Sequence, residues 1–315
     1  MLRIDYRSLP KYEVPCACCG SMDYQVARRG DRFKFGLRTV VCTQCGLLFT
    51  SPRPSAEWFD EFYRFHYRKY YEAVDQPDET YLNRDWIRGR HLRNIDILAP
   101  HLKPVGMLLD IGCAEGTFLH AFGERFPDWH KIGIDPSESF TAFARSHFHL
   151  DNIHQGNIQA LTTWDAEQFD LITAGHVLEH LLDPNEFFIL CRRLLKPDGL
   201  LFIDVPDTES GIRGLQNIHI GHVYHFTRST ISNFLAKHGF GIVAIQSDST
   251  PHPWTMLVIG AKQLTTPTDW KPQPVDSSAI KRRFYQHTSL SLKTKLYMAY
   301  RRTFPRGLRT KSESA

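Results

Sequence analysis

Three groups of residues in this chain have types and spacings that could do chemistry. Cys16 and Cys19, and again Cys42 and Cys45, leave two residues between their thiols and are each followed by a glycine. That spacing lets four thiolates share one tetrahedral Zn²⁺ with no coordination position left for water, so the metal is expected to be structural. Two disulfides or free thiols are the alternative, and Cys18 is a spare thiol on either reading. The second group lies in Leu108-Leu109-Asp110-Ile111-Gly112-Cys113-Ala114-Glu115-Gly116-Thr117-Phe118-Leu119, where an apolar run breaks at two glycines and resumes with helical spacing. Gly112 and Gly116 allow a tight turn and close backbone approach to a ligand, and Asp110 puts a carboxylate at the strand end, which suits a nucleotide-like ligand. The third group is histidine-rich: His176, Glu179 and His180 fall within about one helical turn, and His222 and His225 follow in Gly221-His222-Val223-Tyr224-His225-Phe226-Thr227. Imidazoles that titrate near neutrality could take a proton from a hydroxyl.

The elements needed to position these groups are legible around them. Tyr24–Ala27, Phe33–Phe35 and Thr39–Val41 are short enough to be the strands of a zinc ribbon, and Thr50-Ser51-Pro52-Arg53-Pro54-Ser55 reads as a stiff linker. Trp58, Phe59, Phe62, Tyr63, Phe65, Tyr67, Tyr70 and Tyr71 recur with roughly helical spacing, and Arg84 to Leu98 reads as a second helix. These aromatics either cement the ribbon onto the next domain or line a pocket as a lid. From Met107 strand and helix alternate: helix from Thr117 to Phe126, strand Lys131–Asp135, helix Ser137 to His147, strand Asn152–Gly156, strand Phe169–Ala174, helix Pro184 to Leu195, strand Leu200–Val205 and helix Ser229 to His238. That alternation implies a parallel, doubly wound sheet with helices on both faces. Asp135 stands close to the roughly 20-residue distance from the glycine turn at which such folds place an acid on a ribose diol, and Asn157 with Ile158 sits where an adenine ring would be met. Phe240 to Ile245 and Thr255 to Ala261 read as the last strands.

The 315 residues divide, on this reading, into a zinc ribbon at 1–50, an aromatic-rich helical segment at 51–105, a core at 106–262 and a C-terminal tail at 263–315. From Lys281 onward ten Lys or Arg stand against one acid, Glu313, while the remainder is mildly acidic. An acidic body argues against nucleic-acid binding, but the tail is free to meet an anionic membrane. Leu292, Leu296, Tyr300 and Phe304 recur there at fours, a weakly amphipathic basic helix whose alternatives are a solvated tail or a partner-binding segment. No apolar stretch approaches the roughly 20 residues of a membrane span, and Met1-Leu2-Arg3-Ile4-Asp5 does not begin a secretory signal. A cytoplasmic protein, with peripheral membrane contact open, is expected.

Leu109-Asp110-Ile111-Gly112-Cys113-Ala114-Glu115-Gly116, Gly133-Ile134-Asp135-Pro136-Ser137, Phe169-Asp170-Leu171-Ile172 with Val177-Leu178-Glu179-His180, and Leu195-Lys196-Pro197-Asp198-Gly199-Leu200 together resemble the class I S-adenosylmethionine-dependent methyltransferases, with four motifs in order. The cysteine pairs followed by Ser51-Pro52-Arg53-Pro54 resemble the subgroup with an N-terminal zinc ribbon that acts on sugars and other small molecules. The resemblance implies a Rossmann-like, doubly wound seven-stranded sheet with a small zinc-ribbon domain. It also implies an S-adenosyl-L-methionine site in which Asp110, Gly112 and Gly116 surround the methionine part, Asp135 binds the ribose, Asn157 and Ile158 frame the adenine, and His176 lies on the cofactor side. Ala114 departs from a common glycine and Asn157 from a common aspartate.

The His-x-x-x-Phe stretch resembles that of the sugar-acting members. Carbon-methylating members carry a Glu before the His, and Gly221 here favours oxygen, with His222 as general base and His225 orienting a partner; the alternative for His222 is a structural histidine that holds the loop down. In quinone-type O-methyltransferases a Glu-His pair at the position of Glu179 and His180 joins a divalent-metal site, although Val-Leu-Glu-His also occurs without one. Expected acceptors are a sugar, a glycan-linked intermediate or another small-molecule hydroxyl. The alternatives are methylation of carbon or nitrogen on a sugar, an RNA methyltransferase, and a non-catalytic cofactor-binding scaffold. Ala174-Gly175-His176-Val177 lacks the Pro-Pro-aromatic element of base-nitrogen methylases.

Overall fold

The computed structural model describes residues 6–68, 74, 76–82, 84–210, 214–247 and 255–289. Tyr70, Tyr71 and the basic amphipathic segment from Leu292 to Phe304 lie outside the described residues.

The larger of two sheets has seven strands: β4 (Gly106–Ile111), β5 (Trp129–Asp135), β6 (Ile153–Gln155), β7 (Phe169–Gly175), β8 (Leu195–Pro206), β10 (Phe240–Ser247) and β11 (Thr255–Lys262). Their order is β10-β11-β8-β7-β4-β5-β6. β4 to β8 are mutually parallel, and β11 runs antiparallel to both β8 and β10. The order reverses between β4 and β7, so the carboxyl ends of these two strands flank a crevice where ligands bind in sheets of this kind. Alternate residues feed opposite faces. Leu108, Leu171, Phe202 and Leu257 join a core with α2 (Asp85–Leu98), α3 (Thr117–Arg125) and α4 (Glu138–Phe148). Leu109, Ile172, Ile203 and Val258 join a second core with α5 (Pro184–Leu194) and α6 (Arg228–Lys237). This period-two alternation of apolar residues reflects burial of the sheet on both sides.

The smaller sheet, ordered β1-β2-β3-β9, comprises β1 (Tyr24–Arg29), β2 (Arg38–Cys42), β3 (Leu48–Thr50) and β9 (Tyr224–His225). One expectation is corrected here. Phe33–Phe35 is no strand, because the Asp31 carboxylate accepts from the backbone N–H groups of Phe33, Phe35, Gly36 and Leu37 and folds the segment into a loop. The third strand of the unit is instead Leu48–Thr50, and the fourth comes from far along the chain.

The proline-rich segment is docked rather than extended freely. Arg53 pairs its backbone with Tyr12, and its guanidinium reaches the Leu182 carbonyl at 2.9 Å and the Tyr224 hydroxyl at 3.3 Å. In α1 (Ala56–Phe65), Phe59 and Phe62 enter the core shared by the cysteine unit and the large sheet, which is the cementing role. Tyr63 and Tyr67 turn toward His180 instead. A last helix, α7 (Ser277–Thr288), shortens the expected Thr265–Ser278 linker and packs Phe284 with β2, β3 and Ile218.

Candidate active site

At the carboxyl end of β4 the chain turns sharply. Gly112 and Cys113 both donate to the Ile134 carbonyl, at 2.7 and 3.2 Å. Gly112 has φ +76°, and a Cβ there would collide with Val177. Gly116, at φ +84°, is the N-cap of α3, and a Cβ there would lie 2.7 Å from Leu150 and 2.9 Å from Ala144. Ala114, where a glycine is common, takes φ +48°, a left-handed conformation that L residues adopt at a cost. Its N–H is held by Asp135.

Asp135 ends β5 and braces the turn. Its Oδ2 accepts from Ala114 N at 3.0 Å, its Oδ1 from Ser137 N at 2.8 Å, and the Arg68 guanidinium lies 3.8 Å away. Asp110 accepts from the Thr173 hydroxyl on β7 at 2.7 Å. Burial, with the neighbouring charge of Asp135 adding, pushes the Asp110 carboxyl up to about 7. Glu115, also buried, accepts from Thr117 at 2.8 Å. Asn157 caps the turn Ile158–Thr163 by accepting from Gln159 N at 3.2 Å, and Ile158 is buried beside it.

The second cluster lies past the ends of β7 and β8. His176, at φ +57°, donates its backbone N–H to the Asp204 carbonyl and places Nδ1 2.9 Å from Glu179 Oε1. Glu179 is 1% exposed, and its Oε1 lies 3.9 Å from Nε2 of both His180 and His222. Its Oε2 accepts no hydrogen bond among the described residues, and burial, then the charge of Asp204, raises its carboxyl to about 8.

Backbone carbonyls assign the imidazole tautomers, since a carbonyl only accepts. His180 Nδ1 donates to the Gly221 carbonyl at 2.7 Å and His222 Nδ1 to the Asn217 carbonyl at 3.0 Å. Nε2 of each ring therefore carries the lone pair. The expected titration near neutrality is corrected here: burial holds His180 down to about 4 and His222 well below its ordinary value, the latter with help from the neighbouring histidines, so both rings are neutral at physiological pH and weaker bases than a free imidazole. Tyr63 donates to the Gly221 carbonyl at 2.7 Å, and Tyr67 donates to His180 Nε2 at 3.3 Å. His219, whose ring centroid is 3.8 Å from that of His222, completes the group.

The structure thus gathers Asp110, Gly112, Gly116 and Asp135 at one turn, and His176, Glu179, His180 and His222 in one buried cluster. It does not bring His225 into that cluster. Side chains alternate along β9, and His225 packs its ring 5.4 Å from Phe284 in the small sheet's own core. Sequence reasoning missed His219 and Asp204. The triplet spacing His219, His222, His225 was a signal for the first. For Asp204, a carboxylate inside an otherwise apolar strand run was the signal; it is fully buried and held by Asn94 at 2.9 Å and Arg93 at 3.8 Å.

Cys16, Cys19, Cys42 and Cys45 converge with all four sulfurs within 4.8 Å of one another; the Cys16–Cys45 and Cys19–Cys42 pairs are 3.4 and 3.5 Å apart. Cys18 is buried outside this group. Glu179, His180 and His222 also bring three ligand atoms within 4.8 Å.

Residues 80–245, just over half of the chain, match the family model described as a methyltransferase domain. The chain therefore belongs to this family of S-adenosylmethionine-dependent methyltransferases. Over 126 residues it is 32% identical to the mitochondrial ubiquinone biosynthesis O-methyltransferase of Bos taurus, covering 38% of this chain and 34% of that protein. Over 100 residues it is 31% identical to the ubiquinone biosynthesis O-methyltransferase of Neisseria meningitidis, covering 30% and 42%. The chain thus spans well under half the length of these relatives. The fold is shared with a crystallised protein of Pyrococcus horikoshii OT3, at 19% identity and a TM-score of 0.52, over 62% of this chain and all of that one.

The residues at the β4 turn fit the family's cofactor. Asp110, Asp135 and Glu115 surround the turn with buried carboxyl groups, which a sulfonium and an ammonium would complement.

Proposed function

We propose that the chain methylates a hydroxyl of a sugar, a glycan-linked intermediate or another small molecule, with His222 as general base. The observation that carries this reading is the His222 ring itself: buried, neutral, its tautomer fixed by the Asn217 carbonyl and its lone pair directed toward the side of Glu179. S-adenosylmethionine, when bound, supplies an electrophilic methyl group on a sulfonium. Asp135 receives the ribose hydroxyls, Asp110 faces the positive end of the methionine part, Asn157 and Ile158 meet the adenine, and His176 borders the same space. Tyr63, Tyr67 and His180 would position the acceptor hydroxyl toward the donor, and such positioning is a large part of the rate gain. The acceptor hydroxyl would give its proton to His222 Nε2. The Glu179 carboxyl, raised by burial and 3.9 Å from Nε2, is the nearest acid to the charge that would then appear on the ring, and offsets it as far as it ionises.

A second reading is favoured by the convergence of Glu179, His180 and His222: a divalent cation held there would activate the acceptor hydroxyl in place of the base. Activity that survives strong chelation during assay excludes the cation; activity lost under chelation supports it only where the zinc at the cysteines is shown to be retained. Incubation with methyl-labelled cofactor and a cell extract tests the main proposal. Label in alkali-stable methyl ethers of small molecules supports it, whereas label in RNA, or on sugar carbon or nitrogen, sinks it. Absence of turnover despite cofactor binding would leave a scaffold.

We further propose that Cys16, Cys19, Cys42 and Cys45 hold one structural Zn²⁺ in a zinc ribbon. The sulfur spacings suit a tetrahedron with Zn–S near 2.3 Å. Metal analysis should return about one zinc per chain. The compartment is proposed as cytoplasmic, with the basic C-terminal segment touching anionic membrane; among the described residues no helix is long and apolar enough to cross one.

A further inference from the structure

The residues around His222 are bonded on one side to the turn after β7 and on the other to the cysteine unit. Arg32 N donates to the Ile218 carbonyl at 2.8 Å, and Thr50 N donates to the Val223 carbonyl at 2.9 Å. Leu48 and Phe49 pair with His225 and Tyr224. Phe33 sets its ring 6.3 Å from that of His219, which in turn lies against His222. Some of these contacts trace back to the cysteine pairs directly, and the others through the β1–β2 hairpin. Cys42 and Cys45 bracket the turn between β2 and β3, so the strand that pairs with β9 leaves directly from the second knuckle. Arg32 and Phe33 sit in the loop folded by Asp31, between β1 and β2. On the other side, Val223 N donates to the Glu179 carbonyl at 2.9 Å, so the same stretch spans from the cysteine unit to the acid of the cluster.

We propose that the cysteine unit is the positioning element for the proposed base: its four thiolates, through β3 and the Asp31 loop, hold residues 218–225 so that His222 faces Glu179. The inference rests on the reading of His222 as base and of the cysteines as a metal site. The cofactor turn is independent of it, because Asp110, Gly112, Gly116 and Asp135 are held by β5, β7 and Ser137. Loss of the metal should therefore disconnect base from donor, not empty the donor site.

The test strips the full-length protein of metal with a mercurial and chelator and follows three quantities. Affinity for S-adenosylhomocysteine, by calorimetry, should stay within about twofold. Turnover should fall by roughly 10²-fold, the scale of a 1 Å misplacement. Carbethoxylation of His222, read by mass spectrometry, should quicken by about tenfold or more as the loop opens, while that of His120, already 43% exposed, stays constant. Zinc addition should reverse both changes. Asp31→Ala provides a second route: with the cysteines and zinc intact, it should expose His222 and lower turnover in the same way.

Retained turnover and a still-protected His222 in stripped protein would overturn the proposal. So would loss of cofactor affinity in step with the metal, which would make the cysteines a staple for the whole chain. If instead His222→Ala leaves turnover unchanged, the reading of His222 as base fails, and the carbethoxylation result alone decides the positioning claim.

Discussion

The proposed donor end and the proposed acceptor end of this molecule are built on different plans. At the donor end Asp110, the glycine turn and Asp135 belong to two adjacent strands, and most of their contacts are backbone hydrogen bonds within β4, β5 and the turns that follow. At the acceptor end Tyr63, Tyr67, His180, Asp204 and His222 come from α1, the segment beyond it, the turn after β7, β8 and a distant loop, and are tied by side chains. Local backbone geometry suffices for a ligand every family member shares. An acceptor pocket assembled from separate segments can be changed piece by piece.

That contrast can be broken or sharpened by substitution. The largest effect on the donor end is expected from Asp135→Ala, which removes the proposed ribose acceptor and unties Ala114. Affinity for S-adenosylmethionine should fall by at least about 100-fold by calorimetry, and an unchanged affinity would remove Asp135 from the site. Tyr63→Phe should act only at the other end. Without its bond to the Gly221 carbonyl, turnover should drop about tenfold while cofactor affinity holds, and a parallel loss of both would show that the two ends are not separate.

His225→Leu probes the small sheet. The buried His225 titrates near 4 in the folded chain against about 6.5 unfolded, so between those values the unfolded chain binds more protons and the wild type loses stability as pH falls. The melting temperature of His225→Leu should therefore gain on that of the wild type by about 2–4 °C between pH 7 and pH 5. A pH-independent gap would mean His225 is not buried neutral. Smallest is Asn157→Ala, expected to weaken cofactor affinity only about two- to fivefold, because its carbonyl already serves the cap on Gln159.

The same contrast explains what could be read from the residues alone. The seven strands and the glycine turn were legible because burial on both faces writes apolar runs and because Gly112 and Gly116 occupy left-handed backbone that few other residues tolerate. The cysteine pairs were legible from spacing, and the sulfurs converge accordingly. Phe33–Phe35 misled because an aromatic, alternating triplet resembles a strand, whereas the four bonds to Asp31 decide its shape, and no local period encodes them. His225 was attached to the acceptor chemistry by closeness in sequence, yet the two-residue alternation of β9 turns it away from His222's cluster. Fusion of the small sheet with residues 224–225 is a long-range pairing, invisible to any window of sequence.

The central claim, that donor binding and proton removal are separate tasks of separate residues, is tested most directly by one pair of values on one variant: cofactor affinity and turnover of His222→Ala, measured on the same preparation. The account predicts an affinity within about twofold of wild type and a turnover lowered by roughly 10²–10⁴-fold. Turnover within a few-fold of wild type, or an affinity lost in parallel with it, would contradict the account.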